Sequence, residues 1–529
     1  MQRLTLNFPV LLILVAAWLA LAYSGPLVSA LSEYGVHGFT QVKLMVFITF
    51  FYTVALAISR CVNAFKPFAI LLFVLAAPAL FYMSEYGIII DADMIINAIE
   101  TDTAEAREQL SGSFFETFIT LGVIPSLLLA YIKLPTSSAT TKIKQGLAAA
   151  TCFSILAVGI AYTSYDDFAS LFRNHRDVKY RVAPFNVISS TVSALKRKLE
   201  TPTQFIRLGQ DAVQVGTSEK PRVMVIVLGE TARADHFSIN NYARLTTPSL
   251  NALMTSEPIF SYKSATSCGT ATAISVPCMF SFLTADNYSD VARNSSNVLD
   301  VLETAGINAT WIENNSGCKD VCNRIKTVKM SESRCEESQC YDIDMLEPLQ
   351  SWLSNLHQDS IIVLHQMGSH GPAYYERSPN EMKRFLPECK SQELSSCSVD
   401  EITNAYDNSL LVTDELVSQV IKLLKSHTEL DSSMMYVSDH GESLGDNGIY
   451  LHGLPNWIAP EEQRHIPWIV WPSDIFSVSK HETSATISHD NFSHTILGYF
   501  NVEASVYNEH LDLTKPDGRY AHAFATTRR

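Results

Sequence analysis

The sequence is short of positive charge. Lys and Arg number 39 against 54 Asp and Glu, a net charge of −15 over 529 residues. Nucleic-acid binding needs basic stripes facing phosphate backbones, so that class of function is excluded. No internal repeat and no long low-complexity tract is present, which argues against repeat scaffolds and biased, disordered segments. The N-terminus has no basic stretch beyond Arg3, and its first apolar run is long. It is therefore expected to be an uncleaved anchor and not a signal peptide. Cysteine is nearly missing from the first half. Cys61 and Cys152 lie inside apolar runs, where a thiol behaves as a small hydrophobe.

The remaining cysteines form close couples: Cys268/Cys278, Cys318/Cys322, Cys335/Cys340 and Cys389/Cys397. Paired cysteines in a membrane-attached domain indicate disulfides and an oxidising compartment. Cys318 and Cys322 stand as C-x3-C, but no histidine pair follows at the spacing of a structural zinc site.

Apolar stretches long enough to cross a bilayer run over 8–30, 44–61, 67–83, 114–132 and 146–163. Five transmembrane helices are thus expected. Arg60 and Lys66 lie in the second connection, and Lys133, Lys142 and Lys144 in the fourth. The third, residues 84–113, has Arg107 alone against Glu85, Asp91, Asp93, Glu100, Asp102, Glu105 and Glu108. The positive-inside rule then places the N-terminus and the even-numbered loops in the cytoplasm. Everything after Thr163 falls outside, in agreement with the cysteines. The expected organisation is a membrane domain at 1–163 with a periplasmic loop at 84–113. Interfacial bridging helices and a linker follow at 164–218, and an α/β catalytic domain at 219–529. Within the loop, Asn97, Thr101 and Glu105 are spaced i, i+4, i+8, one face of a helix. Spacing alone reads as a solvated helix at the membrane surface, with a lipid head group as the alternative.

From Lys220 onward one pattern recurs: a short apolar run ends and polar residues follow at once. "RVMVIVLG" precedes Glu230, "ATWIE" precedes "NNSGCK", "SIIVLHQMG" precedes Ser369-His370, "MMYVS" precedes Asp439-His440, and "IPWIVW" precedes Pro472-Ser473. Such runs suit strands of a parallel sheet covered on both faces. In open α/β sheets, ligands bind beyond the carboxyl ends of the strands. The segment "SDHGESLGDNGIYLHG" adds Glu442, Asp446 and His452 to that edge. Carboxylates and imidazoles together suit a metal site, with zinc favoured and manganese second. Such a site can activate water or a side-chain hydroxyl. "SATSCGTATAISVPCMFS" offers Thr266, Ser267, Thr270, Thr272 and Ser275 at a loop entering a helix, and spacing does not choose among them.

The segments "GETARADHFSINNYARLTTPSL", "SCGTATAISVPCMFS", "NNSGCK", "LHQMGSHGPAYYERSP" and "SDHGESLGDNGIYLHGLP" resemble the phosphoethanolamine transferases that modify lipid A, a family that includes the mobile colistin-resistance enzymes. The resemblance spans nearly the whole chain. It implies five membrane helices followed by a periplasmic sulfatase/alkaline-phosphatase-like domain. It implies zinc, one ion or two, held by Glu230, Thr272, Asp439 and His440, with Thr272 accepting the phosphoethanolamine. His370 and His452 would lie near the transferred group, and Ser316 and Lys319 would line the pocket. Asn97, Thr101 and Glu105 would contact the lipid head, which displaces the solvated-helix reading. Glu442 would support the ligands from behind. The implied partners are phosphatidylethanolamine as donor, lipid A as acceptor and membrane lipids; the chain is expected to act as a monomer. A core sugar as acceptor, or phosphoglycerol transfer on the same fold, are the alternatives. A sulfatase is disfavoured, since its nucleophile motif needs Arg where Met279 stands. In spheroplasts, externally added protease should digest the portion after Thr163; full protection of that portion would overturn the topology.

Overall fold

The computed structural model describes residues 4–101, 103–200, 204–216, 218–330, 340–473 and 485–515. The chain divides into two compact units: Met1–Ile95 with Leu110–Ala194, and Ile96–Gln109 with Leu195–Arg529. Residues 96–109 of the 84–113 loop thus cluster with the second unit.

In the first unit, Phe39–Cys61, Phe65–Glu85, Gly112–Tyr131 and Ala139–Thr163 are each long and apolar enough to span a bilayer. A helix satisfies its backbone polar groups internally, which a hydrocarbon core demands. The first expected span is broken. Phe8–Ala22 and Gly25–Glu33 meet at a 51° bend, and counting this pair as one span gives five. Pro26 stands at the start of the second piece, where its missing N–H costs nothing, whereas within a continuous helix it would leave a carbonyl unbonded.

The span Gly112–Tyr131 is also irregular, with a π-helical turn at Phe118–Val123. Pro125 has no N–H for the carbonyl four residues earlier, that of Leu121. The Tyr23 hydroxyl donates to that carbonyl at 2.5 Å. A helix break in one element thus supplies the donor for a proline in another. Gly146 lets two helices approach: a Cβ there would lie 2.6 Å from Cys61 Sγ and 2.7 Å from the Ala57 carbonyl. The basic, aromatic stretch after Thr163 forms the helix Tyr165–Asn174 and the turn Arg176–Arg181. Asp177 there is buried, accepting from Tyr34 Oη at 2.5 Å and Arg181 Nε at 2.9 Å.

The second unit is built on an eight-stranded sheet. In chain order its strands are β1 (Arg222–Gly229), β2 (Phe260–Thr266), β3 (Asn308–Glu313), β4 (Lys326–Lys329), β5 (Ser360–His365), β6 (Asp431–Ser438), β7 (His465–Trp471) and β8 (Thr486–Ser488). Their spatial order is β8-β2-β7-β6-β1-β5-β3-β4. β1 and β5 are buried along their whole length, and β6 nearly so, as expected for strands covered on both faces.

The sheet is not wholly parallel. β7 runs antiparallel to both β2 and β6, while the other pairings are parallel. Pro472-Ser473 therefore leaves the edge opposite to the functional one, contrary to the expectation for "IPWIVW". β2 takes up the vacated role: its end releases Ser267 at the shared edge. Its alternation of apolar and polar residues hid it among the continuous apolar runs. The long helix Val399–Ser426 begins at a reciprocal cap between Ser398 and Glu401. Disulfides join Cys268–Cys278, Cys318–Cys322 and Cys389–Cys397; Cys335 lies outside the described residues.

Tyr23→Phe should lower the thermal midpoint of the purified protein, since it removes the donor to the part-buried Leu121 carbonyl, at a cost of about 1 kcal/mol. Adding Pro125→Ala restores an N–H and should recover part of the loss. Additive destabilisation by the two changes would refute the pairing.

Candidate active site

Glu230 follows directly on β1, and Asp439 and His440 follow on β6; all three are fully buried. β1 and β6 pair in parallel with Gly229 beside Ser438, so the first residues past their ends must be neighbours. One donor atom from each of Glu230, Asp439 and His440 lies within 4.8 Å of the others.

Thr272 completes the group. It is the first residue of the helix Thr272–Met279, which the Cys268–Cys278 bridge ties to the loop before it. Its Oγ1 lies 3.1 Å from each carboxylate oxygen of Glu230 and 3.3 Å from His440 Nε2. The other four candidate hydroxyls meet backbone carbonyls, and Ser275 also lies 3.3 Å from His489 Nδ1. Ser267 donates to Gly269, Thr270 to Leu454, Ser275 to Asp439 and Thr266 to Ile487. Of these candidate hydroxyls, Thr272 is the one placed against both Glu230 and His440.

The backbone around this cluster is specialised. Thr231 has a φ of 52°, uncommon for a β-branched residue. Its N–H donates to Asp439 Oδ1 at 3.2 Å, and its carbonyl accepts from Tyr406 Oη at 2.8 Å. Gly368 has a φ of +57°, and a Cβ there would come within 2.6 Å of the Glu230 carbonyl. Any side chain at 368 would push Glu230 out of place.

Burial dominates the electrostatics. It raises the Glu230 carboxyl above the usual carboxylate range, and the nearby Asp439 charge adds to this. Burial pushes Asp439 up to about 6 and His440 down to about 4, with His452 contributing. His440 is therefore neutral at pH 7. Its Nδ1 lies 2.9 Å from the Gly441 carbonyl and so carries the proton, which leaves the Nε2 lone pair free as a donor to a metal.

The donor set fits a cation. Asp439 Oδ2 is buried with no hydrogen-bond partner, 3.3 Å from His440 Nε2. Two adjoining buried carboxylates beside a neutral imidazole lack a counter-charge, and a divalent ion would supply it. The described residues hold one such cluster.

His452 and His370 extend the site. The His452 ring lies 4.4 Å from that of His440 and 5.5 Å from that of His370, between centroids. Glu442 is fully buried. Its oxygens meet Tyr374 Oη at 2.5 Å and His452 Nδ1 at 2.7 Å, and burial pushes it up to about 7. Its contact with Nδ1 fixes the orientation of the His452 ring. Asp446, by contrast, pairs with Arg233 at 2.9 Å.

Ser316 and Lys319 lie on the loop after β3. Lys319 Nζ reaches Ser316 Oγ at 3.1 Å and the Glu100 carbonyl at 3.4 Å. Asn97 and Thr101 belong to this same unit, but not on one continuous helix with Glu105. The helix Ala92–Glu100 ends before Thr101, and a second, Thr103–Glu108, follows. Thr101 Oγ1 donates back to the Asn97 carbonyl at 2.9 Å. The Glu105 side chain lies outside the described set. Arg293 pairs with Glu100, and Arg377 with Glu108, so two arginines hold the ends of this loop.

Three contributors escaped the sequence reading. Asn315 Nδ2 donates to Glu230 Oε2 at 2.8 Å and to the Gln366 carbonyl at 2.7 Å. Arg377 Nε donates to the His370 carbonyl at 2.8 Å, coupling that histidine to Glu108. Gly368 is the third. Asn315 stood in a strand-end cluster and was legible by position; Arg377 gave no such signal.

The chain matches the family described as Sulfatase over residues 222–502, and that described as Phosphoethanolamine transferase EptA/EptB over residues 44–199. It is 39% identical over 459 residues to phosphatidylethanolamine transferase Mcr-1 of Escherichia coli, covering 83% of this chain and 84% of that protein. It is 35% identical over 463 residues to phosphoethanolamine transferase EptA of Escherichia coli K12, covering 84% of each. Among solved structures it resembles the integral membrane protein lipooligosaccharide phosphoethanolamine transferase A (EptA) from Neisseria meningitidis. The TM-score is 0.92 at 30% identity, covering 96% of this chain and 98% of that one.

Metal analysis of the purified protein should find a divalent metal. Asp439→Asn and His440→Ala should each lower the bound metal about tenfold or more, whereas Asp446→Asn should not. Equal metal content in all variants would refute the ligand set.

Proposed function

Because the chain belongs to the phosphoethanolamine transferase family, we propose that it moves phosphoethanolamine from phosphatidylethanolamine to a phosphate of lipid A, through a phospho-threonine at Thr272. It is a multi-pass protein of the inner membrane with its catalytic domain in the periplasm, where both lipids are within reach. One observation carries the reading. Thr272 Oγ1 is the hydroxyl of its segment that faces a carboxylate and an imidazole together.

Zinc is the proposed cation, held by Glu230, Thr272, Asp439 and His440. When bound it supplies positive charge that eases ionisation of a neighbouring hydroxyl and offsets charge gathering on the phosphate. Glu230 accepts the Thr272 proton, with both oxygens at 3.1 Å. Thr272 Oγ1 attacks phosphorus, the bond to the diacylglycerol oxygen breaks, and that oxygen takes a proton from His370 or His452. Glu442 and Tyr374 fix His452 through its Nδ1, so Nε2 is the nitrogen left for this transfer. In the second half a lipid A phosphate hydroxyl gives its proton to that histidine as its oxygen attacks the phospho-threonine; the bond from phosphorus to Thr272 Oγ1 breaks, and Oγ1 takes its proton back from Glu230. Positioning provides much of the acceleration. Lys319 and Ser316 are proposed to hold the phosphate end of the substrate, and Asn97, Thr101 and Glu105 its ethanolamine end. Lipid A gains an ammonium group and loses net negative charge, so cationic polymyxins bind it less tightly.

Incubation with phosphatidylethanolamine labelled in its head group should release diacylglycerol and leave the label on Thr272. Thr272→Ala should abolish both and lower transfer by about 10³-fold or more. Label on another hydroxyl would refute the nucleophile. Lipid A from an expressing strain should gain one phosphoethanolamine in mass spectra. Unmodified lipid A with a modified core sugar would move the acceptor there.

A further inference from the structure

A second cluster of charge lies in the membrane unit, apart from the residues assigned to transfer. Arg60 ends the span Phe39–Cys61, and Lys66 opens Phe65–Glu85. Lys133 follows Gly112–Tyr131, and Lys142 lies in the first turn of Ala139–Thr163. These are the cytoplasmic ends of four spans. The four basic side chains line one cavity of about 510 Å³, and no Asp or Glu lines it. No acidic residue occurs at all within 1–32, 39–84 or 117–165.

Topology alone asks for basic residues in these loops, and exposed lysines would satisfy it. Arg60 does more. It is 4% exposed, its guanidinium stands 4.9 Å from the centre of the Phe8 ring, and its Nε is buried with no hydrogen-bond partner. A buried guanidinium is costly without an anion, and these segments supply none. Its neighbours hold the cavity open. Lys142 Nζ donates to Asn63 Oδ1 at 2.8 Å, and Lys66 Nζ donates to the carbonyls of Ala130 and Ile132. The Lys133 backbone pairs with Leu4 and Leu6, pinning the start of the chain beside it.

We propose that this cavity binds a phosphate group, that of an anionic phospholipid in the cytoplasmic leaflet. A planar guanidinium forks onto phosphate oxygens, and the lysines add charge around it. Basic pockets between spans on the cytoplasmic side suit such head groups. Phe65, Pro67, Leu134 and Pro135 also line the cavity. They give it an apolar wall at the ends of the spans, which a lipid can follow and free phosphate cannot use.

The test titrates the full-length protein in detergent with phosphatidylglycerol, phosphatidylcholine or inorganic phosphate, read by native mass spectrometry and thermal midpoint. One phosphatidylglycerol should be retained per chain and raise the midpoint, and phosphatidylcholine should do neither at the same concentration. The double variant Lys133→Ala/Lys142→Ala changes polar positions at the cavity mouth and should lower retention about tenfold or more. Arg60→Gln should do the same. Equal retention of both lipids, or undiminished retention by the double variant, would overturn the proposal. Stabilisation by inorganic phosphate equal to that by phosphatidylglycerol would overturn the lipid assignment. Binding is read directly, so the result stands whether or not the transfer reaction is as proposed.

Discussion

Two carboxylates, Glu230 and Asp439, are buried within reach of one imidazole and one hydroxyl. Like charges held out of water repel, and each raises the proton affinity of the other. Everything around them makes this tolerable. Asn315 donates to Glu230, and the backbone N–H groups of Thr231 and His440 donate to Asp439. One oxygen, Asp439 Oδ2, is left without a donor. A cation would supply the remaining compensation, and its charge would ease ionisation of a neighbouring hydroxyl such as that of Thr272. The arrangement that is costly to fold is the one the proposed chemistry would use.

The sheet brings these groups together by register and not by sequence proximity. β1 and β6 lie side by side, so residues 230 and 439 meet although some two hundred positions separate them. β2 reaches the same edge because β7, running the other way, separates it from β6. A wholly parallel arrangement of the same apolar runs would send Pro472-Ser473 to the site instead. Close backbone approach then sets the tolerance. Gly368 lies against Glu230, and a Cβ at Gly441 would lie 2.1 Å from the Glu462 carbonyl.

In the membrane unit, polar groups find partners across helices. Tyr23 serves the carbonyl that Pro125 cannot, and Tyr34 and Arg181 hold Asp177. Arg60, a charged group, keeps a buried donor without a hydrogen-bond partner at the cytoplasmic end. Asp439 Oδ2 and Arg60 Nε are opposite cases, a buried anion and a buried cation each with an unmet hydrogen bond.

Composition and pattern alone determined the membrane spans, their orientation, the oxidising compartment and the apolar strands whose ends carry the site. These follow from local rules of hydropathy, loop charge and residue period, each readable within a few tens of residues. Glu230, Asp439 and His440 were legible because they stand directly after such strands. Tertiary structure decided the rest. It broke the first span, reversed β7, ended the loop helix before Thr101 and set Thr272 beside Glu230 and His440. It also supplied Asn315, Arg377 and the buried guanidinium of Arg60. Each of these depends on which distant atom comes within about 3 Å, the reach of a hydrogen bond, and local sequence carries no measure of that distance.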